Sequence, residues 1–188
     1  PLSRYGVNVL VDNGGLDKPP VIFEAKPGYS SLIGSIEYGN KPQAERFAYL
    51  KIRAGSILKA NGGFLVLQAE DLIQEEESWI AIKRILRTGR VEIEPQPGPF
   101  GPPAAIKPEA IEVNVKVVLI GGESTYDVLY QADPDFEKLF KVCAEFDSTM
   151  PRSDDSLREY VSFVRKIVKE ESLRDISPDG VAAVIEYG

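Results

Sequence analysis

The sequence predicts an α/β fold, a central and mainly parallel sheet followed by a helical appendix, and three observations carry that prediction. Short apolar strands alternate with helical stretches through the first three quarters of the chain. The run IEVNVKVVLI, residues 111 to 120, alternates at first and then becomes wholly apolar, as a strand does when it enters a buried sheet. Beyond about residue 150 only helical periodicity remains.

Taken in order, YGVNVLVD (residues 5 to 12) reads as an apolar strand closed by the turn Asn13-Gly14-Gly15, and VIFEAK (21 to 26) as a second. Residues 27 to 56 mix aromatics with Gly28, Gly34, Gly39 and Pro42 and give no clean period. KANGGFLVLQAEDL, residues 59 to 72, reads as the end of one element, a two-glycine turn and a strand buried on both sides. A helix is predicted from about Gln74 to Thr88, with Trp79, Ile82, Ile85 and Leu86 on one face. Glu75, Glu76 and Glu77 at its start and Lys83, Arg84 and Arg87 towards its end suit the helix dipole. VEIE then reads as a strand, and PQPGPFGPPAAIKP as a loop, either a linker excursion or an arm to a neighbouring subunit. VCAEFD (142 to 147) is predicted as the last strand, with Cys143 buried in it as a small hydrophobe. Ser153 and Asp154-Asp155 then cap a helix with Leu157, Val161, Val164 and Val168 on one stripe.

Composition narrows the function. Of 188 residues 43% are hydrophobic and 27% charged, an ordinary globular balance. The net charge of −7 argues against direct binding of nucleic acid or an anionic membrane, which needs clustered Lys and Arg. No apolar run is long enough to span a bilayer and no signal segment opens the chain, so the cytoplasm is the expected location. With one Cys and no His, internal disulfides, Cys–His nucleophiles, Ser–His–Asp triads and the usual zinc sites are excluded, and no metal site is expected. A chain that begins with Pro and stops at IEYG reads as a segment of something larger.

The segments AGSILKANGGFLVLQAEDL, ESWIAIKRILRTGRVEIE, AIEVNVKVVLIGGESTY and DPDFEKLFKVCAEFDSTMPRSDD occur in that order. They resemble the Walker B strand, the following helix and hairpin, the sensor 1 strand and the arginine-finger region of AAA+ ATPases. Through RYGVNVLVDN, PPVIFEAKPGYSSLIGSIEYG and IRAGSILKANGG the chain resembles, within that superfamily, the ATPase-like region of Lon-related proteases. The resemblance covers nearly the whole chain. It implies an AAA+-like core over residues 1–150 and the beginning of a helical lid subdomain over 151–188, with a phosphate loop upstream and a serine–lysine protease domain downstream. No GxxxxGK[ST] loop and no match to the protease dyad occurs here, so no catalytic residue is assigned.

The resemblance also implies where nucleotide contacts would stand. Gln68 takes the place of the Walker B Asp that holds the magnesium shell, and Ala69 that of the Glu that orients water. Glu70 follows one residue too late and, if the strand continues, points the wrong way. At sensor 1, where a polar residue such as Asn is usual, Gly121 and Gly122 stand, with Glu123 and Ser124 beyond them. Lys141 stands where an arginine finger is implied, and is either a weaker substitute for it or a surface lysine. ATP and Mg2+ are therefore expected only with an upstream phosphate loop, and neither for the segment alone.

A pore loop gripping unfolded polypeptide through aromatic side chains is implied too. Phe47, Tyr49 and Leu50 are its first candidates and Tyr29 belongs to a second, GYSSLIG; the alternative for each is packing in the core. The resulting expectation is a degenerate AAA+ segment of a Lon-like serine protease. It would contribute ring assembly, with a hexamer as the expected ring, and substrate passage to quality-control degradation of unfolded or damaged proteins. A non-proteolytic AAA-like oligomerisation scaffold is the alternative.

Overall fold

Strand β4 (Phe64–Gln68) organises the molecule because its alternate residues Leu65 and Leu67 are fully buried. The computed structural model describes residues 6–36, 49–94 and 107–187. In chain order the described elements are β1 (Val21–Glu24), α1 (Tyr29–Ile33), β2 (Gly34–Ile36), β3 (Ile52–Ala54), α2 (Ser56–Lys59), β4 and α3 (Ala69–Gln74). They continue with α4 (Glu76–Thr88), β5 (Arg90–Val91), β6 (Ile111–Glu112), β7 (Lys116–Ile120), α5 (Glu123–Ala132), α6 (Phe136–Leu139), α7 (Asp154–Glu170) and α8 (Pro178–Tyr187). The central sheet has the order β1-β4-β7 and both pairings are parallel, in agreement with the predicted α/β class. Parallel neighbours need crossover connections, and the helices α1 to α4 lie in those connections.

Register decides which side of the sheet is covered. Ile22, Leu65 and Val117 share one face with Glu24, Leu67 and Leu119, and their apolar members join α1, α2, α3 and α4 in the core through Leu32, Ile57, Leu72, Trp79, Ile82 and Ile85. The other face carries Val21, Phe23, Phe64, Val118 and Ile120, all exposed among the described residues. The expectation that the LVL strand is buried on both sides therefore holds for one face only.

Two predicted strands do not appear among the described residues. Residues 6–12 form no ladder: the Asn8 carboxamide donates to the Tyr49 and Ile52 carbonyls at 2.9 and 3.0 Å, anchoring the segment through a side chain. Residues 142–147 are irregular and exposed, with Phe146 95% and Val142 89% accessible. Their alternating pattern finds no partner strand among the described residues, and Cys143 is exposed rather than buried. The single strand expected over 111–120 divides at Asn114, whose amide donates to Asn61 Oδ1 while its carbonyl accepts from Gly62. Those bonds release the chain from the β5–β6 hairpin into the central sheet. VEIE shortens to β5, and the helix expected from Gln74 begins after a break at Glu75, where ψ is 79°.

By internal contacts the chain divides into two units, Pro1–Lys141 and Val142–Gly188. In the second unit Ser153 caps α7 as expected, its hydroxyl accepting from the Ser156 amide. Val161, Val164 and Val168 of α7 face Val181 and Ile185 of α8 across an apolar groove. No helix among the described residues is long and apolar enough to cross a membrane.

Candidate functional site

Parallel sheets bind ligands outside the carboxyl ends of their strands, so the ends of β1, β4 and β7 are the place to look. Glu24 ends β1 and is committed to structure, accepting from the Lys26 amide at 3.1 Å and from the hydroxyl of buried Ser56. Gln68 ends β4, beside Ile120 in the register, and Ala69, 4% exposed, begins α3. The Gln68 Oε1 atom is buried and has no hydrogen-bond partner among the described residues. An amide oxygen so placed is neutral and lacks the charge with which a carboxylate holds a divalent cation.

Glu70 corrects the sequence reading. The strand does not continue through it: α3 begins at Ala69, and Glu70 in its first turn faces the end of β7. Its Oε1 accepts from the Gly122 amide at 2.9 Å and from the Thr125 hydroxyl at 2.8 Å. The Gly122 bond is the largest cause that holds this carboxyl below the usual glutamate range. Gly121 completes the fit, since a Cβ there would lie 3.0 Å from Glu70 Oε1 and 3.1 Å from the Ala69 Cβ. A polar sensor side chain at that position would meet Glu70, which already supplies the polar contact. Glu70 and Thr125 are the residues that sequence reasoning missed. The acidic pair Glu70-Asp71 was the available signal, because carboxylates favour the first turn of a helix.

The structure thus brings Gln68, Ala69 and Gly122 together at adjoining strand ends. Glu123 is exposed at the first position of α5, and Lys141 is exposed in irregular chain after α6. Of the aromatic candidates, Phe47 lies outside the described residues, while Tyr49 and Leu50 form a half-buried helical turn before β3. Tyr29 opens α1 and packs against the core. Burial first, and then the Glu94 carboxylate, push its phenol above the usual tyrosine range despite a hydrogen bond with Arg84. No cluster of three His, Cys, Asp or Glu side chains that could hold a metal occurs among the described residues.

A second arrangement positions α5 from its other end. Asp133 caps α5 and takes the Trp79 indole N–H at 2.8 Å and the Lys83 ammonium at 2.6 Å, both from α4. Phe140 stacks on Trp79 at 6.0 Å and Phe136 lies 5.3 Å from Phe140, closing the cluster.

The crystal structure of NtrX from Brucella abortus superposes with a TM-score of 0.53 at 17% identity, over 88% of this chain and 35% of that one. That likeness concerns the fold, and the chain spans about a third of the length of that protein. Among curated proteins none matches the sequence. The family described as LonB-like, AAA domain matches residues 17–147, a stretch that contains the whole central sheet, α4 and the crest formed by Gln68, Glu70 and Gly122. The chain therefore belongs to the LonB-like AAA-domain family.

Proposed function

We propose that this chain is the hydrolysis-deficient AAA-like part of a Lon-like serine protease, serving ring assembly and the passage of unfolded or damaged protein towards a separate Ser–Lys peptidase site. What supports the reading is the crest: Gln68 and Ala69 stand where the resemblance puts the acidic pair that nucleotide hydrolysis requires, and the neighbouring Glu70 is spent on Gly122 and Thr125. Membership of the family supports the Lon-like context. ATP and Mg2+ would bind only with a phosphate loop supplied elsewhere in the parent protein. The cytoplasm and a hexameric ring are parts of the same proposal.

The test is degradation of a permanently unfolded protein by the full-length parent with and without Mg-ATP. Equal cleavage in both conditions is the expected result. Cleavage that depends on ATP would overturn the loss of hydrolysis, and no cleavage at all would favour the scaffold alternative. A second expected result concerns repair of the crest. The 188-residue chain carrying Gln68→Asp and Ala69→Glu together should show no ATP turnover above the unaltered chain, because acids without a phosphate cradle have nothing to act on. Turnover in that variant, measured as released phosphate, would sink the assignment.

A further inference from the structure

The first turn of α5 and the rest of that helix are held by different means. From Tyr126 onwards it is fixed by packing: Tyr126 meets Phe136 edge-on at 5.7 Å, Leu129 is 6% exposed, and Asp133 ties the end to Trp79 and Lys83. Its beginning has no comparable burial, for Gly121, Gly122, Glu123 and Ser124 are all exposed. Among the described residues, the hydrogen bonds that reach residues 121–125 from another element are the two that Gly122 and Thr125 give to the Glu70 carboxylate. Gly121 is shaped for the same contact, because even one added carbon would press on Glu70 and Ala69. A segment with little buried apolar surface, held from outside by two hydrogen bonds to one carboxylate, belongs to the low end of local stability.

We infer that residues 121–125 form a strap at the crest of the sheet, fastened to α3 by Glu70 as its clasp and hinged on the packed remainder of α5 from Tyr126 onwards. With the clasp closed, the start of α3 and the start of α5 are bound together and the ends of β4 and β7 hold one arrangement. With it open, residues 121–125 leave while the remainder of α5, from Tyr126 onwards, stays seated on Phe136. The device gives the crest two discrete states without involving the core. It rests on this geometry and does not depend on the functional reading above.

Hydrogen exchange on the full-length protein, followed in peptides that cover 121–127, 129–140 and 64–68, tests the strap. Glu70→Ala is expected to accelerate exchange in 121–127 about tenfold and leave the other two peptides unchanged, the size expected for losing a hydrogen bond to a charged group. Gly121→Ala should have the same selective effect, because the carboxylate is the part of the contact that can yield. The double variant should exchange no faster than either single one. Unchanged exchange in 121–127 after Glu70→Ala would overturn the inference. So would equal acceleration in 129–140, which would mean that α5 moves as one body, or additive effects of the two substitutions, which would mean that they act on different contacts.

Discussion

Gly55→Ala is expected to cost the first unit more than about 3 kcal/mol, a large fraction of the stability of an ordinary domain. Gly55 lies buried between β3 and α2, where two stretches of main chain touch. A Cβ at this position would stand 2.1 Å from the Leu32 carbonyl oxygen, 2.4 Å from its carbon and 2.5 Å from the Gly34 nitrogen. All three atoms are backbone, so no rotamer change relieves the collision. The neighbouring Gly34 is bound by the same approach, with φ at 111° and a would-be Cβ 2.3 Å from the Arg53 carbonyl oxygen. Separating these strands would also displace Leu32 and Ile33 of α1 from Ile57 and Leu58 of α2, four of the buried residues of the core. Gly28→Ala is the control: nothing lies within 4 Å of its Cβ position, and the change should stay within about 0.5 kcal/mol. Urea unfolding of both variants decides the matter, and a Gly55→Ala protein as stable as Gly28→Ala would disprove the close approach.

What could be read in the sequence was the part governed by local pattern and burial. The apolar runs that became β1, β4 and β7 sit in one sheet, and Trp79, Ile82 and Ile85 turn inward along α4 because their spacing matches the helical period. Ser153 was legible as a cap because capping depends on residues three positions apart. Residues 142–147 show the limit of such reading. Val142, Ala144 and Phe146 alternate as strand residues do, yet a strand exists only through its partner, and partnership is not a local property. The same holds for Asn114, where a side chain 53 residues earlier ends one ladder and lets the next begin. At the candidate site the end of the strand was legible at Gln68 and the role of Glu70 was not. A shift of one residue in the change from strand to helix turns that carboxylate from solvent onto Gly122. Asp133 was illegible for a similar reason, since its partners lie 54 and 50 residues earlier on another helix.

Asp133→Ala is expected to lower stability by about 3 kcal/mol, because it leaves the indole N–H of Trp79 and the ammonium of Lys83 without their acceptor. The side chains of the ion pair are only 15% and 12% exposed, so water replaces the lost contact poorly. Trp79→Phe separates the contributions: it abolishes the indole hydrogen bond and keeps an aromatic ring against Phe136 and Phe140, and should cost about 1 kcal/mol. Dependence on pH identifies the charge as the agent. Burial alone would raise the Asp133 carboxyl, but the hydrogen bonds from Lys83, the Asp135 amide and Trp79 outweigh it and hold the group below the usual aspartate range. A carboxyl lowered in the folded state contributes its stability above the unfolded-state value of about 3.9, and loses it as the pH falls through the lower folded value. The stability difference between wild type and Asp133→Asn should therefore be constant from about pH 7 to pH 5 and shrink below about pH 4. A difference that persists undiminished at pH 3 would mean that shape rather than charge joins α4 to the end of α5.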